Sequence, residues 1–215
     1  MLDDGEREKR GAIIESCLEM NRLGINQGTS GNISVRHGDG LLITPTSLPY
    51  DRLEPEDVVF LSPDGTPEGR HRPSSEWHFH LDIMRERPDV NAIVHAHPTY
   101  CTILAIMGLE IPPIHYMVAV AGGSNVRCAP YAIFGSKELS QNAVKALEGR
   151  QACLLEHHGA IAVGASLPKA MWLAVEVETL ARQYHGCLPF GAPPLLSEEQ
   201  IGAVIEKMAG YGHQG

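Results

Sequence analysis

His95-Ala96-His97 and His157-His158-Gly159 are the segments of this chain best suited to chemistry. The chain has 11 histidines, several of them grouped as His78/His80, His95/His97 and His157/His158, and structure alone rarely asks for that grouping. His95-x-His97 closes a strand-like run, Val90–His97. Residues i and i+2 of a strand point to one face, so these two imidazoles can converge on one metal ion. Two surface histidines that merely lie two apart are the competing reading. His157-His158 closes a second strand-like run. Adjacent strand residues face opposite ways, so only one of the two is expected to coordinate. Three histidines with an open fourth position form the pattern of catalytic rather than structural zinc.

Other segments could serve such a metal. Pro73-Ser74-Ser75-Glu76-Trp77 sets a carboxylate in the first turn of an expected helix, with two hydroxyls just before it. Unpaired N–H groups at a helix start favour an anion. A capping sequence would explain the helix and nothing more. The functional reading gives Ser74 and Ser75 to a phosphate and Glu76 to proton transfer near the metal. The loop Asn26–Asn32 is rich in glycine and polar residues, and glycines let successive N–H groups aim at one oxyanion. Thr44-Pro45-Thr46-Ser47 adds hydroxyls after another strand-like run.

Elements must position these residues. Apolar spacing predicts helices over 6–23, from Ser74-Ser75-Glu76 through Arg87, and over Thr99–Met107, Ser136–Leu147, Leu167–His185 and Ser197–Met208. Strands are expected at Ile33–Arg36, Leu41–Thr44, Val58–Leu61, Val90–His97, Tyr116–Ala121, Val126–Ala129, Ala152–Glu156 and Ala160–Val163. Several strands follow one another through short turns, and no repeat or linker interrupts the pattern. The expectation is one α/β domain over 1–215, a three-layer αβα sandwich with a central, largely antiparallel sheet.

Bulk composition narrows the partners. The net charge of -9 argues against a nucleic-acid binder, which usually shows a basic stripe. No apolar run approaches the roughly 18 residues of a membrane span. The start Met1–Glu6 is acidic and polar, unlike a leader peptide. Five widely spaced cysteines with no C-x-x-C pair read as reduced thiols, and a cytoplasmic location is expected.

The motifs taken in order make a more specific pattern. Asn26–Asn32, Ile43–Thr46, Pro73–Trp77, His95-x-His97, Ile114-His115-Tyr116-Met117 and His157-His158-Gly159 occur in the order found in the class II aldolase/adducin family. The chain resembles that family over nearly its whole length. The resemblance implies reversible cleavage of L-fuculose 1-phosphate, or a similar ketose 1-phosphate, to dihydroxyacetone phosphate and an aldehyde. It implies one Zn2+ per chain on His95, His97 and His158, with Glu76 as the acid/base and as a ligand when substrate is absent. Thr29, Asn32, Thr46, Ser47, Ser74 and Ser75 would hold phosphate. Tyr116, and Tyr211 in the tail at about 209–215, would reach a neighbouring subunit's site in a C4 homotetramer.

The chain departs from the family pattern at Ser47, where the family has glycine, and at Met208, a tail position near the aldehyde end. An aldolase of the same family for 5-deoxyribulose or 5-methylthioribulose 1-phosphate is the nearest alternative. A pentulose-phosphate 4-epimerase is less favoured, because no Asp or Glu occurs from Ile111 to Ser136. A non-enzymatic adducin-like module is disfavoured by the intact Glu76, His95, His97 and His158.

Overall fold

The computed structural model describes residues 2–209. Eight strands form a single sheet: β1 (Asn32–His37), β2 (Gly40–Ile43), β3 (Val59–Leu61), β4 (Pro67–Glu68), β5 (Ala92–Ala96), β6 (Arg127–Ala129), β7 (Ala152–Leu155) and β8 (Gly159–Gly164). Their order across the sheet is β4-β3-β2-β1-β5-β8-β7-β6. Every pairing is antiparallel except β6 with β7, which are parallel and joined through a helix. Six helices flank the sheet: α1 (Asp4–Arg22), α2 (Trp77–Glu86), α3 (Thr99–Ile106), α4 (Lys137–Ala146), α5 (Leu167–Cys187) and α6 (Glu198–Ala209).

The strands are apolar on both faces because helices cover both. On β5, Ala92, Val94 and Ala96 belong to one core, with Ile13 and Cys17 of α1, Leu104 of α3 and Val177 of α5. Ile93 belongs to the other, with Phe79 and Ile83 of α2 and Leu139 and Ala143 of α4. The same alternation runs through Leu41 and Leu42 on β2 and Leu154 and Leu155 on β7. This period of two fixes the register, since a slip of one residue would exchange the faces. The expected three-layer αβα sandwich with a largely antiparallel sheet is the fold observed. Among the described residues no helix is long and apolar enough to cross a membrane.

Antiparallel order has a consequence for placement. Asn32 at the start of β1 lies opposite His95 near the end of β5. Ala96 lies opposite Ala160, just after the start of β8. One end of the sheet therefore collects residues from far apart in sequence. Two glycines allow the strands to meet there. A Cβ on Gly31 would lie 2.6 Å from the His95 carbonyl oxygen, and one on Gly159 would lie 2.5 Å from that of Ala96. Any side chain at either position would force the histidine-bearing strand aside.

Three local expectations need correction. Tyr116–Ala121 is a 3-10 helix rather than a strand. Ile111 and Val126 exchange backbone hydrogen bonds across the base of this excursion, and Val118 N–H donates instead to the His115 carbonyl three residues back. Among the described residues no strand pairs with the segment, and α5 and α6 pack against it. His157 and His158 lie in the turn between β7 and β8 rather than on a strand, and His157 takes a left-handed φ of 56°. Glu76 sits at the N-cap of α2, one step before the first turn, and its side chain caps nothing. Strand β4, two exposed residues, escaped a reading based on apolar runs.

Ser47 adopts φ 61°, the left-handed region in which a Cβ is crowded. This is the position where a glycine was expected from the family pattern. Ser47→Gly should stabilise the chain by about 0.5–1 kcal/mol, a rise of about 2 °C in Tm for a chain of this size. Thermal unfolding checks this; an unchanged or lower Tm would mean that the serine hydroxyl offsets the backbone strain.

Candidate metal centre and phosphate cleft

His95 is fully buried, and its ring is oriented by the sheet. Its Nδ1 lies 3.0 Å from the Ala160 carbonyl oxygen on β8. A carbonyl only accepts, so Nδ1 carries a hydrogen and Nε2 is the nitrogen turned toward the other groups. That Nε2 is 3.1 Å from His97 Nε2 and 3.1 Å from Glu76 Oε2. His158 Nε2 lies 3.3 Å from Glu76 Oε1. One nitrogen from each of His95, His97 and His158 falls within 4.8 Å of the others.

This cluster has the chemistry of a cation site. Burial pushes the His97 and His158 pKa values down to about 3 and about 4, and the neighbouring imidazoles push the same way. Both rings are therefore neutral at ordinary pH. Burial alone would raise the Glu76 pKa, but the facing His95 and the donating Asn32 amide outweigh it and keep the carboxylate ionised. Glu76 Oε1 is buried with no hydrogen-bond partner among the described residues. Neutral imidazoles and a carboxylate with an orphaned oxygen are a donor set for a divalent metal, and the residues present fit one.

A cleft of about 420 Å3 opens above the cluster. Thr29, Asn32, Thr46, Ser47, Ser74 and Ser75 all line it, together with Glu76, His97 and His158. The two loops that carry the hydroxyls are tied to each other: Ser74 N–H donates to the Thr44 carbonyl and Thr46 N–H to that of Arg72. The third loop is pinned from below. Ser30 Oγ donates to Asn26 Oδ1, Asn26 Nδ2 donates to Asn21 Oδ1, and the buried Tyr50 hydroxyl donates to the Gly31 carbonyl. Hydroxyls on fixed loops beside this donor set can bind an oxyanion without a surface lysine.

Of the sequence-predicted site residues that the structure describes, it brings together all but Tyr116. Tyr116 is 50% exposed and does not line the cleft of its own chain. It borders a separate apolar hollow with Met117, Val120, Trp172 and Met208. Tyr211 lies outside the described residues. Sequence reasoning missed Tyr131, Ile133 and Phe134, which rim the cleft and are each more than half exposed. The available signal was a run of large apolar residues between Pro130 and Gly135, just before the Ser136 cap of α4, where a solvated loop would be polar. His157 also borders the cleft, without joining the cluster.

Comparison with known proteins gives a consistent result. The profile of the Class II Aldolase and Adducin N-terminal domain matches residues 11–185. The chain is similar to an L-fuculose phosphate aldolase of Escherichia coli O6:H1, at 53% identity over 201 residues, 93% of this chain and 94% of that protein. It is similar to a 5-methylthioribulose-1-phosphate/5-deoxyribulose-1-phosphate aldolase of Rhodospirillum rubrum at 51% identity, over 94% of this chain and 92% of that protein. A solved structure of an L-fuculose 1-phosphate aldolase superposes with a TM-score of 0.91 at 37% identity, covering 97% of this chain and 98% of that one.

His97→Ala should lose bound metal, whereas His157→Ala should keep it. His157 lies outside the three-histidine cluster, and its ring sits edge-on to Tyr131 at 6.0 Å. Metal content per chain, measured after extensive dialysis, decides between them. A metal-free His157→Ala protein would show that the wrong member of the pair has been placed at the centre.

Proposed function

Since the chain belongs to the class II aldolase and adducin family, we propose that it is a zinc-dependent aldolase acting on L-fuculose 1-phosphate or a similar ketose 1-phosphate. It cleaves the sugar reversibly to dihydroxyacetone phosphate and an aldehyde such as L-lactaldehyde. The observation that carries this reading is Glu76. It is a buried carboxylate at the floor of a hydroxyl-lined cleft, within 3.3 Å of two of three converging imidazoles. Zinc suits three neutral imidazoles with an open position. When bound, it supplies Lewis-acid stabilisation of the charge that develops on the ketose oxygens as the C3–C4 bond breaks.

The protein's own residues do the rest. Thr29, Thr46, Ser47, Ser74, Ser75 and the Asn32 amide hold the phosphate, which sets the reacting carbons against Glu76. Glu76 then delivers a proton to C3 of the three-carbon fragment, and removes it in the condensation direction. Its orphaned Oε1 is free for that exchange. Tyr116 exchanges the proton of the C4 hydroxyl. Its placement outside its own cleft, beside Trp172 and Met208, supports delivery from a neighbouring chain of a C4 homotetramer. Tyr211 would join it from the tail.

A second reading, a 5-methylthioribulose or 5-deoxyribulose 1-phosphate aldolase, rests on two observations. Identities of 53% and 51% to the two kinds of aldolase leave little between them. The rim formed by Tyr131, Ile133 and Phe134 is apolar and would suit a methyl or methylthio tail. Both readings share the metal, the phosphate cleft and Glu76.

A panel of ketose 1-phosphates, assayed by coupled detection of dihydroxyacetone phosphate, tests the function. Cleavage should occur, stop on chelation and return with zinc. Full activity in metal-free protein would overturn the assignment.

A complementation experiment tests the shared site. Glu76→Gln chains should turn over about 100- to 10,000-fold more slowly, the usual loss for a positioned acid or base, and Tyr116→Phe chains should also be nearly inactive. Mixed and reassembled, some sites would pair an intact Glu76 with a neighbour's intact Tyr116 and recover part of the activity. Mixed oligomers with no recovery would place Tyr116 in its own chain's site or in none.

A further inference from the structure

A chain of buried polar groups lies behind Glu76, and nothing in the proposed reaction uses its far end. Asn32 Nδ2 donates to Glu76 Oε2 at 2.9 Å. Asn32 Oδ1 lies 2.5 Å from His80 Nε2, and His80 Nδ1 lies 2.7 Å from Ser34 Oγ. Asn32, Ser34, Glu76 and His80 are all buried, His80 and Ser34 completely. Local geometry explains why they meet. Asn32 and Ser34 are two apart on β1 and share a face, while Glu76 and His80 are four apart at the start of α2, which packs on that face.

The direction of every link follows from the carboxylate. An ionised carboxylate only accepts, so Asn32 must turn its NH2 toward Glu76 and its oxygen toward His80. That oxygen also only accepts, so His80 must carry its hydrogen on Nε2. Burial keeps the ring neutral, its pKa pushed down to about 3. Nδ1 is therefore bare and accepts from the Ser34 hydroxyl. The ring of Phe79, stacked on His80 at 4.6 Å and edge-on to His95 at 5.4 Å, holds the plane.

We propose that His80 is a positioning residue for the aldol reaction: its Nε2–H fixes the Asn32 amide in the one orientation that donates to Glu76. Without that hydrogen the amide is free to rotate by half a turn. Its oxygen would then face the carboxylate, and Glu76 would swing away from C3. The inference rests on the reading of Glu76 as the acid/base.

Three variants test it in the zinc-loaded protein. His80→Phe keeps a buried ring without a donor, and kcat should fall by about 10- to 100-fold, the usual loss for a group that orients a functional side chain, with metal content unchanged. His80→Gln can place an amide N–H near the lost Nε2–H and should recover most of the rate. The third measurement repeats His80→Phe in the Glu76→Gln chain. A glutamine can donate or accept, so the orientation of Asn32 no longer matters, and the added loss should be less than threefold.

A structural role alone would cost the same factor in both backgrounds and would give His80→Gln no advantage over His80→Phe. Either result, or a wild-type rate in His80→Phe, overturns the inference. If His80→Phe fails to fold, the comparison moves to His80→Gln against His80→Leu. Wild-type protein that cleaves no ketose 1-phosphate would instead remove the functional reading on which the inference rests.

Discussion

Four electron-rich groups, the Glu76 carboxylate and the imidazoles of His95, His97 and His158, are held with contacts of 3.1 to 3.3 Å between them. Burial removes the water that would otherwise solvate them, so each must be held by its protein neighbours. Much of the architecture can be understood as the means of holding this set together. The Ala160 carbonyl turns His95, the Asn32 amide steadies Glu76, and Gly31 and Gly159 let three strands approach without side chains between them. The packing of Phe79 anchors α2 to the sheet; full burial of such a side chain contributes about 2–3 kcal/mol. A divalent cation would find in this arrangement a ready set of donors.

The cleft inherits its shape from the same end of the sheet. Hydroxyls come from three loops, each fastened by backbone or side-chain hydrogen bonds to something rigid. None of them depends on a long flexible cation. In a chain of net negative charge, the donors lining this cleft are dipoles fixed in place rather than free charges. The thiols stay out of this chemistry. Burial raises the pKa values of Cys17, Cys101, Cys128 and Cys153, which keeps them protonated.

The sequence carried the local periodicities well. Helices α1, α3, α4 and α5 and strands β1, β2, β5, β7 and β8 lie within a few residues of where their apolar spacing put them. His95 and His97 could be paired because i and i+2 share a face. Other features had no local signature. Tyr116–Ala121 has the composition of a strand, yet it forms a 3-10 helix whose first turn is capped by the His115 side chain. His158 joins His95 and His97 although strand alternation, the reason to expect only one of the pair at the metal, does not apply, since it and His157 lie in a turn. The link from His80 to Asn32 spans 48 residues, and no spacing rule reaches that far. The rim of Tyr131, Ile133 and Phe134 was visible only as misplaced apolarity.

The sheet's outer strands bear on how copies of this chain could meet. At one margin, β4 is two residues long, and Pro67 offers no N–H while Glu68 sets a charge at the boundary. At the other, β6 is three residues long. Short, proline-bearing and charged margins discourage extension of the hydrogen-bonded ladder into a second molecule. Any meeting of two copies would then run through side-chain surfaces rather than by open-ended stacking of sheets, which has no natural stopping point.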